Sequence, residues 1–412
     1  MGEAKWGRPA SFREVFAVGE FRALWLAEAQ SVLGDQLARV AISVLVFRST
    51  HNAGLTAITY ALTFVPDIVG GPLLSGLADR FPRRPVMVIA DLLRAILIGL
   101  MAIPAVPLGL LAALLVAAQL CNSPFAAAQG ATLPTVLDGD RYVVGQTIRQ
   151  ITSQLGQLIG FVLAGLVVAT IGSHRALAID AMTFLISAAV IRFGVTRRPA
   201  ATADGRIRNP SWFAQFVAGA RIIWHDRRLR SLVGLSWLAG FAIMPEGLAV
   251  PYAAEIGAGT VAVGVLLAAQ PTGTAIGAFL LGRWVPPERR LALLGPLTFL
   301  TTAPLILYFL RPPLIPTILI VLGVGLFSAY QVIAGATFMR LVPDAGRGQA
   351  FGLAGSGLIA AQGIGLAAGG LLASVLGSVA ITIAVAGTAG TLLAVPAATA
   401  WRRAHNQASH FQ

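Results

Sequence analysis

The chain alternates long apolar runs with short polar connections. Twelve runs can be marked: 22–47, 54–78, 85–103, 108–133, 143–170, 175–193, 229–252, 260–283, 291–310, 314–338, 349–375 and 379–400. A bilayer core about 30 Å thick takes roughly 20 apolar residues as a helix, and in lipid every backbone polar group must be satisfied within its own segment. The runs therefore predict an all-α membrane protein of about twelve transmembrane helices. Composition agrees, with 56% hydrophobic and 11% charged residues where a soluble domain carries about 25% charged. The 45 glycines and 23 prolines fall mostly inside the runs, which is common in membrane helices.

Sliding the sequence on itself by 205 residues exposes a tandem repeat. Gly130, Ala131 and Thr132 fall on Gly335, Ala336 and Thr337, Pro66 on Pro271, and Arg84 on Arg289. Gln157, Ile159, Gly160, Gly165, Leu166, Gly172 and Ser173 match Gln362, Ile364, Gly365, Gly370, Leu371, Gly377 and Ser378 without a gap. Six spans separate the copies, an even number, so the two six-helix repeats run in parallel and are related by an axis along the membrane normal. The expected organisation is a tail over 1–21, a first half over 22–193, a linker over 194–228, a second half over 229–400 and a tail over 401–412. The linker starts polar. Its second part, with Trp212, Phe213, Phe216, Ile222, Ile223 and Trp224 among basic residues, predicts a helix lying on the membrane surface.

The net charge of +13 raises the question of nucleic acid, and the placement of the charges answers it. Only Lys5 is lysine, and most arginines fall in the short connections. Arg80, Arg83, Arg84, Arg141, Arg197, Arg198, Arg206, Arg208, Arg283, Arg289, Arg290, Arg340, Arg347, Arg402 and Arg403 group on the side of the termini, against Arg48, Arg175 and Arg311 opposite. The positive-inside rule then puts both termini in the cytoplasm of a cell-membrane protein, with no nucleic-acid partner. Cys121 is the single cysteine, which excludes disulfides within the chain and cysteine-based metal clusters. The first 20 residues hold no apolar signal region, so the first span directs insertion.

Between spans two and three, Gly76, Asp79, Arg80, Arg83 and Arg84 stand in a stretch that resembles the signature loop of the major facilitator superfamily, with Pro82 in place of its second glycine. Acidic and basic groups at such helix ends can pair across one side of the bundle and latch a conformation. The run from Phe21 to Ala41, the stretch Ala90 to Ala95, and the stretch Leu177 to Ala188 resemble the branch of enterobactin-type siderophore exporters and macrolide efflux proteins. In span five, Gly156, Gly160 and Gly165 resemble the superfamily's exporter motif, with Phe161 where its proline would stand. The small-residue spacing still lets helices approach closely. The resemblance implies a transporter whose first span borders a central cavity, with spans three and six peripheral.

A charge at the bilayer centre costs about 2.5–3.5 kcal/mol on insertion scales and persists for a reason. Asp35 lies near the middle of span one with Arg39 one turn on, which makes the pair the leading proton-coupling candidate. Asp67 faces an uncharged Thr272 in the repeat register, and Glu246 sits beside Pro245 in span seven. Asp91, Arg94 and Asp180 are assigned to structural pairing. Trp25, Trp237, Phe241, Phe327, Tyr330 and Gln331 are cavity-lining candidates.

Enzymatic and nucleotide-driven classes lack their residues. No phosphate-binding glycine loop with its lysine occurs, the five histidines are scattered, and no nucleophile elbow is found. The expectation is a monomeric secondary transporter, needing no cofactor, that exports an amphipathic small molecule in exchange for protons. Import of a small solute is the alternative, and a lipid-translocating or non-transporting role is a further one.

Overall fold

A computed structural model describes residues 10–64, 66, 70, 80–198, 212–343 and 346–409. The described residues form helices and connections, with no strand among them. A short α1 (Phe12–Ala17), capped by Ser11, leads into α2 (Gly19–Thr50). Asn52 caps α3 (Ala53–Ala61) by accepting from the Leu55 N–H at 3.0 Å. The third and fourth spans are α4 (Arg83–Met101) and the pair α5 (Leu108–Leu120) and α6 (Asn122–Val136), which meet at Cys121. Two unbroken helices, α7 (Gly139–Ile171) and α8 (Ser173–Gly194), complete the first repeat, and α9 (Trp212–His225) follows.

Span seven is broken into α10 (Arg227–Trp237), α11 (Ala239–Ala242), α12 (Met244–Gly247) and α13 (Ala249–Glu255), with a 47° bend between Gly247 and Ala249. Pro245 and Pro251 cannot donate to the carbonyls four residues back, which removes the bonds that would keep this span continuous. The remaining spans are α14 (Thr260–Trp284), α15 (Pro287–Thr302) with its tight extension Ala303–Leu310, the pair α16 (Leu314–Ser328) and α17 (Tyr330–Leu341), α18 (Arg347–Leu376), and α19 (Val379–Ser409).

Among the described residues, nine helices are long and apolar enough to cross a membrane, and ten if the bent span seven is one crossing. The third run, α4, falls outside that count because Arg84, Asp91 and Arg94 dilute its apolar character. Most of the second run beyond Ala61 lies outside the described residues. The helices overrun the predicted runs by a few residues, as where α2 begins at Gly19, because helical hydrogen bonding continues into the polar interface.

Contacts between the repeats are themselves duplicated. Helix α7 packs along α14, and α18 packs on α3. The 205-residue shift carries the first pairing onto the second. A Cβ on Gly165 would stand 2.8 Å from the Gly264 Cα, and one on Gly370 would stand 2.8 Å from the Gly54 carbonyl oxygen. Arg48 also donates across the repeats to Thr260 Oγ1, at 3.3 Å. These contacts gather at the end of the bundle remote from Ala10 and Ser409. Behind them an apolar cluster joins Val40, Phe161 and Phe184 to Val250, Val263 and Leu267. Helix α9 sits at the other end, with Gly219 against the Gln349 backbone and Ile223 buried, while Phe216, Val217 and Trp224 face outward.

Candidate functional site

Helix α2 carries Glu28, Asp35 and Arg39 over eleven residues, a rise of about 16 Å at 1.5 Å per residue. Each belongs to a separate polar cluster.

The middle cluster is built on Asp35. Its Oδ1 accepts from Arg94 Nη2 at 2.6 Å, with the Arg94 side chain 1% exposed and that of Asp35 23%. Arg94 Nη1 donates to Ser31 Oγ at 3.3 Å, and its guanidinium lies 4.0 Å from the centre of the Phe184 ring. Asp91 and Asp180 are fully buried and within electrostatic reach of the same arginine. Thr183 Oγ1 donates to Asp180 Oδ1 at 3.3 Å, and Gly34 leaves the space that this carboxylate occupies. Three carboxyl groups from α2, α4 and α8 thus share one guanidinium. A void of about 10 Å³ borders Asp35, Arg94 and Gln119, room for about one water molecule.

This arrangement corrects the expected pairing of Asp35 with Arg39. A facing helix, α4, delivers the Arg94 fork to within 2.6 Å of Asp35 Oδ1 in the interior. Arg39 turns instead toward Phe64, 5.8 Å from its ring centre, and toward Tyr60 and Glu246. The separation of Asp35 from Asp91, Arg94 and Asp180 is corrected with it, because α8 packs on both α2 and α4.

The second cluster crosses between the repeats. Tyr60 Oη donates to Glu246 Oε2 at 3.2 Å, with Arg39 beside both. Glu246 reaches this position on α12, the short turn between breaks in span seven.

The third cluster was not singled out from the sequence. Glu28 accepts from Arg149 Nε at 2.5 Å and from Arg149 Nη2 at 3.0 Å. Gln129 accepts from Arg149 at 3.0 Å and donates to Glu28 and to the Leu24 carbonyl, each at 3.3 Å. Gln146 accepts from the same guanidinium at 3.2 Å and donates to Tyr142 Oη. The signal was present, since Glu28 and Arg149 lie inside the apolar runs 22–47 and 143–170 and obey the same rule that selects Asp35.

A family model described as the Major Facilitator Superfamily matches residues 24–248. The chain belongs to the major facilitator superfamily. Macrolide efflux protein A of Streptococcus pyogenes is 23% identical over 370 residues, which cover 87% of this chain and 90% of that protein. Multidrug efflux pump Tap of Mycolicibacterium fortuitum is 25% identical over 359 residues, covering 84% and 87%. The fold is similar to that of a bacterial homologue of the human lysosomal transporter Spinster in an inward-facing, occupied conformation (TM-score 0.73, 13% identity, 94% and 96% coverage). It is similar also to the nucleoside transporter NupG (TM-score 0.68, 14% identity, 94% and 99% coverage). The chain is a multi-pass membrane transporter and not an enzyme.

Of the superfamily's signature loop, Gly76 and Asp79 lie outside the described residues, as does the candidate Asp67. Arg80 is exposed. Arg83 donates to the Ala131 carbonyl at 2.7 Å and Arg84 to the Val195 carbonyl at 3.1 Å, which ties α4 to α6 and α8 within one repeat. The span-five glycines are contact points: Gly156 faces Val32, Gly160 faces Gln36 and Gly165 faces Gly264. Phe161 is buried in the apolar cluster behind them.

The cavity-lining candidates divide. Gln331 and Ser236 are the polar groups of a cavity of about 200 Å³ between α10, α17 and α18, walled by Phe338, Phe351 and Leu358. Trp237 lies on Gly357 of α18, and Phe327 is half-buried on α16. Trp25 is held to α7 by an Nε1 bond to Thr152 Oγ1 at 2.8 Å. Tyr330 is core rather than lining: it is fully buried, and its hydroxyl donates to the Leu235 carbonyl at 2.7 Å. Phe241 packs on Gly390 of α19, away from that cavity.

Proposed function

We propose that this superfamily member is a proton-coupled exporter of an amphipathic small molecule, working as a monomer with both termini in the cytoplasm of a cell-membrane protein. The two repeats rock about their glycine contacts and expose a central cavity to one side and then the other. The efflux activities named for the two relatives, each matched over most of its length, support export over import. The observation that carries proton coupling is the group of three carboxyls around Arg94. In a dry interior such a group balances its charge by binding protons. Asp35 is the most exposed of the three, which supports its assignment as the proton-exchanging member.

The energetics allow a single proton per cycle. Concentrating an uncharged substrate 100-fold costs about 2.7 kcal/mol. One proton moving down 100 mV supplies about 2.3 kcal/mol, and a pH unit adds about 1.4 kcal/mol.

Inverted vesicles challenged with a panel of antibiotics and siderophores test both substrate and direction. Asp35→Asn is expected to abolish pH-driven accumulation while substrate binding survives. Accumulation against a gradient with normal pH dependence in that variant would move the proton role elsewhere in the chain.

A further inference from the structure

A cavity of about 590 Å³ lies at the end of the bundle where the described chain starts and stops. It opens between the start of α10 and the end of α19. Arg227, Arg230 and Arg403 supply its charge, and Gly234, Ala397 and Ala400 form a low wall. Among the described residues none of these three guanidiniums has an ion-pair or hydrogen-bond partner for its side chain. Asp226, the nearest carboxylate in the sequence, is committed elsewhere. Burial pushes its carboxyl up, but the hydrogen bonds and charge of Arg228 outweigh burial and hold it below the usual carboxylate range. It pairs with Arg228 at 3.2 Å and caps α10.

The internal repeat supplies a comparison within the molecule. Shifted by 205, Arg403 falls on Arg198 and His225 on Glu20. In the first repeat Arg198 donates to Glu20 Oε2 at 2.7 Å, and Thr196 donates to the other oxygen of the same carboxylate. The second repeat has histidine where that carboxylate stands, and Trp401, whose Nε1 donates to the Leu291 carbonyl, where Thr196 stands. One corner of the bundle is thus neutralised by its own glutamate, and the equivalent corner presents three arginines around a cavity.

From this we infer that the α10–α19 cavity holds the phosphodiester headgroup of an anionic phospholipid from the adjoining leaflet. Depth and shape favour lipid over a soluble anion. Both helices leave the apolar layer at this level, and Leu392, Leu393 and Val395 are exposed one or two turns deeper on α19, where an acyl chain would run. Basic pockets between helices at a membrane surface recognise anionic headgroups, with about 1 kcal/mol for each arginine near the surface.

The test titrates the full-length protein in detergent with phosphatidylglycerol, phosphatidylcholine or inorganic phosphate and reads the thermal midpoint. Phosphatidylglycerol is expected to raise it, and the other two to leave it unchanged. Arg230→Gln with Arg403→Gln should weaken the apparent phosphatidylglycerol affinity by roughly tenfold or more, whereas Arg402→Gln, outside the cavity, should not. Ser231→Glu sets a carboxylate among the three arginines, as the first repeat does with Glu20, and should also displace the lipid. Set in the cavity lining itself, it decides the matter alone if the double variant fails to fold by size-exclusion profile. Unchanged phosphatidylglycerol affinity in either variant, equal protection by phosphatidylcholine, or equal protection by inorganic phosphate overturns the inference.

Discussion

Arg94 illustrates how much of the interior hangs on one side chain. It bonds Asp35 and Ser31, covers the Phe184 ring, and is within reach of two further buried carboxyls. Removing one partner of a buried pair leaves an uncompensated polar group, at a cost of about 3–5 kcal/mol. Arg94→Ala is expected to lower the thermal midpoint in detergent far more than Asp35→Asn, and Arg94→Lys to recover only part, since an ammonium cannot reproduce the planar fork. Equal midpoints for Arg94→Ala and the wild type would remove the cluster from the stability of the repeat. Every charge in these clusters is visible in the sequence as an ionisable residue inside an apolar run. Their partners are not. Helical spacing says which residues share a face of α2, but not which of the facing helices α4, α7 or α8 delivers Arg94, Arg149 or Asp180 to it.

At the scale of the helix, the apolar runs located nearly every described span, because twenty-residue stretches without charge have few other physical solutions. The break at Pro245 was legible from proline's missing donor. The interruption at Cys121 and the tight turn over Ala303–Leu310 carry the same signal, since Pro124 and Pro304 cannot donate to the carbonyls of Leu120 and Leu300. Glycines mark the closest approaches, and Gly165 and Gly130 separate two uses of the residue. Gly165→Ala sets a methyl 2.8 Å from the Gly264 backbone, whereas nothing lies within 4 Å of a Cβ at Gly130. Gly165→Ala is expected to destabilise by about 1–3 kcal/mol through overpacking and to reduce transport. Gly130→Ala should be neutral or slightly stabilising. Thermal midpoints and transport rates of the two variants side by side check this, and matched behaviour would deny the contact.

Among the described residues, links between the repeats gather at one end, and Tyr60 to Glu246 is a polar one among them. A hydrogen bond contributes about 0.5–1.5 kcal/mol net, so Tyr60→Phe should shift the balance between conformers closed and open at that end by roughly two- to tenfold. Distances between spin labels placed on the two repeats at that end report the shift, and an unchanged distribution would show that the bond does not help hold them together. The duplicated seam has a mechanical consequence. Gly165 and Gly370 are the same position of a doubled unit, so the repeats touch at two bearings of one design, and two bearings define a line. Rotation about that line keeps both in contact, while sliding or twisting opens one of them. On the proposed rocking mechanism a large motion would thereby be reduced to a single degree of freedom, and widening either bearing would admit wobble in the stroke as a whole.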